Sequence, residues 1–292
     1  MRGMFAESMT IGDAIVWGTS LLEESDLIPA ARSRSDSILL LRHVLDIPHA
    51  EMHAYRERPL TALQTEAFNA MIQQRLRGTP VQYITGEQEF FGLPFRVTPD
   101  VLIPRPETEH LVEAAIARLK DLASERIVDV GTGSGAIAVA LAHALPQAEV
   151  TALDISPAAL AVAAENAKHN GVAARVRFFE SDLLSAVAEE RFDAIVSNPP
   201  YVASSERKSL PVEVRDFEPT QALFAGPTGL EMYRRIIPDA RPLLVPGGWL
   251  MMEIGQGQRD PVRALLQDAT WAGVEFLPDL QGIPRVAVAR KH

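Results

Sequence analysis

The chain has 292 residues, of which 47% are hydrophobic and 23% are charged, and its formal net charge at pH 7 is −10. This composition is ordinary for a globular protein with one large or two medium domains. The acidic balance argues against broad, sequence-independent binding of nucleic acid, which requires a basic surface. The chain has no cysteine, which excludes disulfides and thiolate metal sites. No apolar run could span a bilayer, and Glu7 and Asp13 interrupt any secretory signal, so we expect a cytoplasmic protein.

Residues 1–85 are predicted to form a small helical domain for recognition or packing. Ile11, Ile15 and Leu22 recur at helical spacing and give one apolar face. Thr61 begins a capping-box pattern, which indicates the start of a further helix. We expect that helix to bury a face made of Leu63, Ala67, Met71 and Ile72.

Residues 86–103 are predicted to form a β-hairpin linker. The turn residues Gly92-Leu93-Pro94 separate two aromatic-rich arms, a pattern typical of a hairpin. Pro106 then suits the first turn of a helix, because its ring presets the helical φ angle. Glu107 and Glu109 lie near the positive end of that helix, where acidic side chains are favourable. We therefore place the domain boundary just before this helix, with a second domain over residues 104–292.

From residue 125 onward, strand patterns alternate with helix patterns, which indicates an α/β fold with a mostly parallel sheet. Short apolar runs predict buried strands, and the last two strands have the look of a hairpin-like pair. The sequence therefore predicts a seven-stranded mixed sheet with strands at 126–130, 149–153, 175–179, 192–197, 249–254, 274–277 and 285–289.

A glycine-rich loop follows the first predicted strand of this sheet. Glycines at 131, 133 and 135 allow the backbone to approach a ligand closely where the chain turns from strand into helix. The segment also satisfies the dinucleotide fingerprint in its G-x-G-x-x-A form, ending at Ala136. The glycines alone therefore leave a nicotinamide cofactor open as an alternative.

Acidic residues at successive strand ends help to distinguish the two cofactors. Asp129 places a negative charge two residues before the first glycine, where it repels a pyrophosphate and attracts the cationic amino group of a methionine moiety. Asp154 ends the next strand, and its carboxylate can accept from ribose hydroxyls in either cofactor. Asp182 follows the third strand and can accept a hydrogen bond from an adenine amino group. Leu183 can then cover the adenine ring. These features favour S-adenosylmethionine.

The stretch Ser197-Asn198-Pro199-Pro200-Tyr201 follows another buried strand. Its prolines end the strand and prevent an immediate helix, so the chain leaves the sheet in a stiff turn. The Asn198 amide oxygen and the Pro199 carbonyl are two acceptors that can bind both hydrogens of a planar NH2 group. Tyr201 adds an aromatic face for a flat substrate. The combination indicates a methyl acceptor that carries an NH2 group.

Several segments together resemble the HemK/PrmC-type family of protein-(glutamine-N5) methyltransferases, which act on peptide chain release factors. The glycine loop Asp129–Gly135 is shared by many methyltransferases, and the Asn198–Tyr201 motif by several amino-group classes. The other matching segments are Pro80–Gly86, Phe90–Leu93, Leu102–Glu109 and Arg215–Pro219, and Leu102–Glu109 and Arg215–Pro219 are much more family-specific.

This resemblance implies a class I S-adenosylmethionine-dependent methyltransferase fold in residues 104–292, preceded by a substrate-recognition domain. The implied acceptor is the glutamine of the Gly-Gly-Gln motif in class I release factors. The catalytic and substrate-binding residues implied are Asn198, Pro199, Pro200 and Tyr201. The cofactor-binding residues implied are Asp129, Gly131, Thr132, Gly133, Ser134, Gly135, Asp154, Asp182, Leu183 and Asn198. Arg105 and Glu107 are expected to order the interdomain junction or the substrate loop, or to form a structural ion pair.

Two other functions stay open at this stage. The same Asn-Pro-Pro-Tyr motif can bind the amino group of a DNA or RNA base, although that function predicts a basic groove. A catalytically silent binding protein is the second alternative. His49 and His53 lack the His-Glu-x-x-His pattern and a third ligand, so we expect no metal site. We also expect no stable nucleic-acid binding, no membrane association and a monomer.

Overall fold

The structure is a computed structural model that describes residues 9–121, 125–267 and 270–292. Glu7 and the side chains of His49 and His53 lie outside this description. The chain divides into two compact units. The first consists of Met1–Gly86 and Pro211–Phe217, and the second of Glu87–Leu210 and Glu218–His292. Among the described residues, no helix is both long enough and apolar enough to cross a membrane.

The first unit is helical, and its core is formed by apolar faces of helices α1 to α5. Thr10 caps α1 and Thr61 caps α4, each in a capping box. The predicted apolar face of α1 is confirmed, since Ile11, Ile15 and Leu22 are buried. The helices are α1 Ile11–Glu23, α2 Ala30–Leu45, α3 His49–Ala54, α4 Ala62–Leu76 and α5 Val81–Thr85.

The predicted apolar face of α4 is wrong in its first half. Leu63 is 78% exposed and Ala67 is also exposed, whereas Phe68 and Ile72 are fully buried. The helix is rotated so that Arg75 also faces inward, with no exposed surface. Its core face is therefore partly polar, and the apolar pattern alone does not reveal its orientation.

Ion pairs explain the burial of Arg75. Its Nε lies 2.7 Å from Asp36 Oδ2, and its Nη2 lies 2.9 Å from Glu213 Oε2. Arg32 pairs with the same Glu213 carboxylate. A buried charge is tolerated only when it is paired, so this cluster ties residues 211–217 into the helical unit.

The second unit begins with the β-hairpin formed by β1 (Glu87–Phe90) and β2 (Leu93–Arg96). The predicted hairpin is present, but the expected Gly-Leu-Pro turn is wrong, because Leu93 and Pro94 already pair within β2. The turn residues are Phe91 and Gly92, with φ angles of 53° and 71°. Two residues with positive φ give the strand twist that a tight hairpin needs.

The remaining elements follow in chain order. The helices are α6 Pro106–Leu119, α7 Ala136–Ala144, α8 Pro157–His169, α9 Val212–Phe217, α10 Thr220–Leu223, α11 Glu231–Leu243 and α12 Arg259–Leu265. The strands are β3 Arg126–Val130, β4 Glu149–Asp154, β5 Val176–Glu180, β6 Phe192–Ser197, β7 Val202–Ala203, β8 Phe224–Gly226, β9 Leu244–Glu253, β10 Trp271–Pro278 and β11 Pro284–Lys291. Short 3-10 helices span Ala173–Arg175, Ser185–Val187 and Ser204–Ser209.

Seven of these strands form a mixed, mostly parallel sheet, as the sequence predicts, and their order is β10-β11-β9-β6-β3-β4-β5. Strand β11 runs antiparallel to both β9 and β10. The order reverses at β3, which has β4 on one side and β6 on the other. Ligands of open α/β sheets bind where the strand order reverses, at the carboxyl ends of the strands. The fold therefore places the candidate site at the ends of β3 and β6.

Candidate active site

The glycine loop and the Asn-Pro-Pro-Tyr turn leave neighbouring strands at the same edge of the sheet. Val130, the last residue of β3, pairs in register with Ser197, the last residue of β6. The Ser197 hydroxyl also donates to the Val130 carbonyl over 2.7 Å. The two motifs that the sequence singles out therefore begin side by side.

The loop after β3 owes its shape to glycine at two kinds of position. Gly133 has a φ of 55°, and a Cβ built there meets no atom within 4 Å. Gly135 has a φ of 80°, and a Cβ there lies only 3.0 Å from Ala163 Cβ of α8. Gly133 thus leaves open space beside the loop, whereas Gly135 permits close packing of the loop on a helix.

Asn166 of α8 supports this loop and was missed by the sequence analysis. Its side chain is 1% exposed, and Nδ2 donates to the Ser134 carbonyl over 2.8 Å and to the Arg96 carbonyl over 2.9 Å. Its Oδ1 accepts from the Arg96 amide over 2.7 Å. One buried amide therefore connects the glycine loop to the β-hairpin.

Asp129 is fully buried just before the glycine loop. Its Oδ2 accepts a hydrogen bond of 2.6 Å from the Thr132 hydroxyl. Its Oδ1 has no hydrogen-bond partner of normal geometry within the described part of the chain. Burial raises the pKa of Asp129 to about 7, and the Asp154 carboxylate adds to this increase, while the Thr132 hydroxyl and the Ala138 amide oppose it. The site thus contains a buried carboxyl group whose two oxygens differ in their hydrogen bonding.

Asp154, at the end of β4, is used within the site to hold the glycine loop. Its Oδ2 accepts from the Gly133 amide over 2.8 Å, and its Oδ1 accepts from the Ser156 amide over 2.9 Å. Burial raises the pKa of this carboxyl, and the amide hydrogen bonds lower it. A carboxylate oxygen has more than one lone pair, so each can still accept from a ligand hydroxyl.

The turn after β5 carries the two remaining predicted cofactor residues. Asp182 is exposed, and its Oδ2 lies 2.7 Å from Arg235 Nη2. Leu183 has a φ of 53°, and its carbonyl accepts from the Ser181 hydroxyl over 2.7 Å. An unusual backbone conformation is therefore held in place at this corner by a local hydrogen bond.

Asn198 is connected to a chain of buried polar side chains. Its Nδ2 donates to the Thr108 hydroxyl over 3.0 Å, and that hydroxyl donates to Glu253 Oε2 over 2.6 Å. The Tyr201 hydroxyl donates to the other oxygen, Glu253 Oε1, over 3.3 Å. Thr108 lies in the first turn of α6, and Glu253 is the last residue of β9, which pairs with β6. The sequence analysis missed both Thr108 and Glu253 as site residues.

Burial has the largest effect on the pKa values of Glu253 and Tyr201. It raises the pKa of Glu253 to about 7, with the hydrogen bonds from Thr108 and Tyr201 and the charge of Arg285 acting against it. Glu107 is exposed, and its charge raises the pKa of Glu253 further. Burial also raises the pKa of Tyr201, to which the Glu253 charge adds, so its hydroxyl is a donor at neutral pH.

The Tyr201 backbone and ring lie between two glycines. A Cβ at Gly229 would lie 2.5 Å from the Tyr201 carbonyl oxygen, and one at Gly255 would lie 2.9 Å from Tyr201 Cδ2. Gln258 Nε2 donates to the same carbonyl over 2.9 Å. The position of Tyr201 is thus set by close packing and not by the prolines alone.

The two more family-specific segments meet at Glu218. The Arg105 guanidinium pairs with its carboxylate, which is 1% exposed at the side chain, and the Ile103 amide donates to Glu218 Oε2 over 3.3 Å. Arg105 therefore forms an ion pair inside the second unit. Within the described residues, no group of three or more histidine, aspartate or glutamate side chains could hold a metal ion.

Comparison with known proteins identifies the family to which the chain belongs. The PrmC N-terminal domain matches residues 13–86, and the Methyltransferase small domain matches residues 108–214. A release factor glutamine methyltransferase from Koribacter versatilis is 45% identical over 97% of this chain and 99% of its own length. Another from Geobacter sulfurreducens is 40% identical over 97% and 98%.

A solved structure of a methyltransferase from Pyrococcus furiosus shares the fold. It matches with a TM-score of 0.51 and 19% identity, over 69% of this chain and 90% of that chain. This likeness, at the level of fold alone, agrees with a class I methyltransferase sheet. The sequence identity with the curated relatives carries the assignment further: the chain is a methyltransferase and belongs to the release factor glutamine methyltransferase family.

Proposed function

We propose that this chain transfers a methyl group from S-adenosylmethionine to the side-chain amide nitrogen (N5) of the Gly-Gly-Gln glutamine in class I release factors. The observation that carries the proposal is the series of buried hydrogen bonds behind Asn198, in which the Asn198 NH2 group is already bound by Thr108. The Asn198 Oδ1 is then left as an acceptor at the edge of the sheet where the glycine loop also lies. The names of the curated relatives support the same acceptor.

The residues present fit the proposed cofactor. Asp129 offers the ammonium group of the methionine moiety a buried oxygen that has no hydrogen-bond partner of normal geometry among the described residues, and the space beside Gly131 and Gly133 admits a ligand close to the backbone. We assign Asp154 to the ribose, and Asp182 with Leu183 to the adenine. Thr132 and Ser134 complete the loop, and both are buried. When bound, S-adenosylmethionine supplies a methyl group on a cationic sulfur, with a neutral thioether as leaving group.

The side chains then act by binding and alignment. Asn198 Oδ1 and the Pro199 carbonyl accept the two hydrogens of the glutamine NH2, and this orients the nitrogen for in-line attack on the methyl carbon. Pro200 and Tyr201 form walls of the glutamine pocket. An amide nitrogen is a poor nucleophile because its lone pair is delocalised, so alignment matters, and it can remove ~7–11 kcal/mol of barrier in favourable cases. The nitrogen loses its proton during or after transfer.

The helical unit is proposed to recognise the release factor. We keep the division into a recognition domain over 1–85, a hairpin linker over 86–103 and a catalytic domain over 104–292 as part of this proposal. The match of the PrmC N-terminal domain to residues 13–86 supports it. Methylation of a release factor would connect the enzyme to translation termination.

A nucleic-acid base is the weaker candidate for the acceptor. The formal net charge of −10 disfavours a protein that must neutralise phosphates along its substrate. The matched relatives are also named for a protein substrate.

The deciding experiment incubates the protein with S-adenosylmethionine and a purified release factor, followed by peptide mass spectrometry. We expect one methyl group on the Gly-Gly-Gln glutamine and none on a release factor in which that glutamine is replaced by alanine. An oligonucleotide serves as the competing substrate. Methylation of the oligonucleotide with an unmodified release factor would refute the proposal.

A further inference from the structure

Three elements contribute to one buried hydrogen-bonded chain at the Asn-Pro-Pro-Tyr turn. Thr108 of α6 is 4% exposed and Glu253 of β9 is 1% exposed, and neither is part of the motif itself. Glu253 nevertheless contacts both ends of the Asn-Pro-Pro-Tyr motif: it is connected to Asn198 through the Thr108 hydroxyl and accepts a hydrogen bond directly from Tyr201. Every polar atom in such a buried chain has a defined role as donor or acceptor.

The number of available protons fixes which group donates and which accepts in each of these hydrogen bonds. A threonine hydroxyl has a single proton, and Thr108 donates it to the Glu253 carboxylate over 2.6 Å. An ionised carboxylate only accepts, so this donation has one possible direction. Toward Asn198 the Thr108 oxygen can therefore only accept, and the amide must turn its NH2 group to Thr108. The orientation of an asparagine amide is decided by its hydrogen-bond partners, and while Glu253 is ionised the partners admit one orientation.

We propose that Thr108 and Glu253 are positioning residues that fix the amide of Asn198, so that its oxygen and not its NH2 group faces the substrate. The inference rests on the proposed function and deepens it, because it assigns the selection of an amide substrate to these two side chains. Glu253 at the same time holds the Tyr201 hydroxyl, so both ends of the motif are set by one carboxylate.

The polarity of Asn198 decides which side chain can bind. A glutamine NH2 is a double donor and needs acceptors opposite it, whereas a glutamate carboxylate is an acceptor and needs donors. With Asn198 Oδ1 and the Pro199 carbonyl facing the pocket, glutamine is accepted and glutamate is repelled. If the amide of Asn198 turned over, its NH2 would meet the glutamine NH2 and would instead suit a carboxylate. Fixing the amide therefore sets substrate specificity as well as alignment.

The charge of Glu253 is the condition for this polarity. A protonated Glu253 can donate to Thr108, which frees the threonine proton to point at Asn198 and allows the amide to turn. Burial raises the pKa of Glu253 to about 7, so we expect turnover to be lost as the pH falls through 7. The titratable and charged groups around the carboxylate are Tyr201, Tyr233, Arg285 and Glu107.

The test compares Thr108→Val, which removes the hydroxyl, with Thr108→Ser, which keeps it. We expect Thr108→Val to lower kcat by about 10- to 100-fold, the effect of losing a hydrogen bond to a charged group. The Kd for S-adenosylmethionine should change by less than about threefold, and Thr108→Ser should restore kcat to within about threefold of wild type. A release factor carrying glutamate in place of the Gly-Gly-Gln glutamine should inhibit Thr108→Val at a lower concentration than wild type, which a purely structural role would not produce.

Glu253→Gln provides the second variant if Thr108→Val melts far below the wild-type temperature. A glutamine there can donate to Thr108 at any pH, so we expect a lowered kcat that no longer rises with pH near 7. The inference is wrong if both variants turn over at the wild-type rate, or if the glutamate-containing factor inhibits variants and wild type equally. Failure of the wild-type protein to methylate a release factor would instead refute the proposed function, and the inference with it.

Discussion

Replacing Asp129 with asparagine tests whether this carboxylate binds the ammonium group of S-adenosylmethionine. The side chain is fully buried, and one of its oxygens has no hydrogen-bond partner of normal geometry among the described residues. Burial raises the pKa of Asp129 to about 7 in the free protein. A cation binds the ionised carboxylate and not the neutral acid, so the affinity should increase with pH up to neutrality.

The magnitude follows from the ionised fraction of Asp129. With a pKa of about 7, roughly 9% of the protein has this group ionised at pH 6 and roughly 76% at pH 7.5. The apparent Kd is the intrinsic Kd divided by the competent fraction, so affinity should increase about eightfold between the two pH values. This corresponds to about 1.3 kcal/mol. At pH 7.5 roughly a quarter to two-fifths of an α-amino group with a pKa of about 7.7–8.0 is already neutral, which reduces the net increase in affinity to about five- to sixfold.

Isothermal titration calorimetry measures both the affinity and the protons released. Below pH 7 the free carboxyl must lose a proton when the cation binds, so titrations in two buffers of different ionisation enthalpy report that number. We expect about 0.9 protons released at pH 6 and close to none at pH 7.5 for the wild-type protein, because at pH 7.5 the α-amino group takes up roughly as many protons as the carboxyl releases. Asp129→Asn should bind more weakly, with no proton release and little pH dependence.

Stability gives an independent check of the same pKa. Because the folded-state pKa of Asp129 is raised above its model value of 3.8, its contribution to stability is complete at low pH and is lost as the pH rises through 7. Asp129→Asn should therefore gain stability relative to wild type between pH 5 and pH 8. Unchanged proton release in the variant, or a wild-type affinity that is flat between pH 6 and 7.5, would contradict the assignment. Asp154 also has a raised pKa. Any pH dependence that remains in Asp129→Asn is then assigned to Asp154 and not to Asp129.

Three further substitutions have defined outcomes. Asn198→Ala should lower kcat by at least about 100-fold, comparable to the loss of one transition-state hydrogen bond, with the cofactor Kd nearly unchanged in a titration. Gly135→Ala should cost about 1–3 kcal/mol in thermal unfolding, because φ is 80° and its Cβ would lie 3.0 Å from a helix residue. Arg75→Ala should cost about 3–5 kcal/mol in urea unfolding, since it removes the buried ion-pair partner of Asp36 and Glu213, whereas alanine in place of the 40%-exposed Arg32 should cost under about 1 kcal/mol.

The sheet was predictable because its central strands β3, β4 and β6 are buried on both faces and therefore read as short apolar runs. All seven strands occur where these runs predict them, although β9 begins at Leu244 and not at Trp249. The start at Leu244 could not be predicted, because Pro246, Gly247 and Gly248 interrupt the apolar pattern that marks a strand. Periodicity thus identified the elements better than their ends.

Helix α4 shows where the same reasoning fails. Its inward face includes a fully buried arginine, which no apolar pattern can indicate. The arginine is inside because its partners, Asp36 and Glu213, surround it, and Glu213 comes from a distant part of the chain. A pairing between remote residues is a property of the folded chain and leaves no local signal at position 75.

The candidate site likewise contains residues that the sequence could identify and residues that only the fold reveals. Asn198 could be placed at the end of a strand because a strand pattern precedes it and prolines follow it. Thr108 and Glu253 lie 90 and 145 residues from the side chains they bind, so only the fold brings them together. The available signal was the family-specific segment that contains Thr108. Its acidic residues drew the interpretation to Glu107, which is exposed, and away from the neighbouring threonine.

The segment from Ile103 to Thr108 connects two features of the pocket. At one end, the Ile103 amide and the Arg105 guanidinium hold Glu218, and at the other, Thr108 connects Glu253 to Asn198. Prolines at 104 and 106 restrict the backbone between these contacts, because each fixes φ. The separation between the two contacts is therefore set when the chain folds. The entropic cost of ordering Asn198, the residue proposed to bind the substrate amide, is then met during folding and not when substrate binds, which leaves more of the binding energy for alignment of a weak nucleophile.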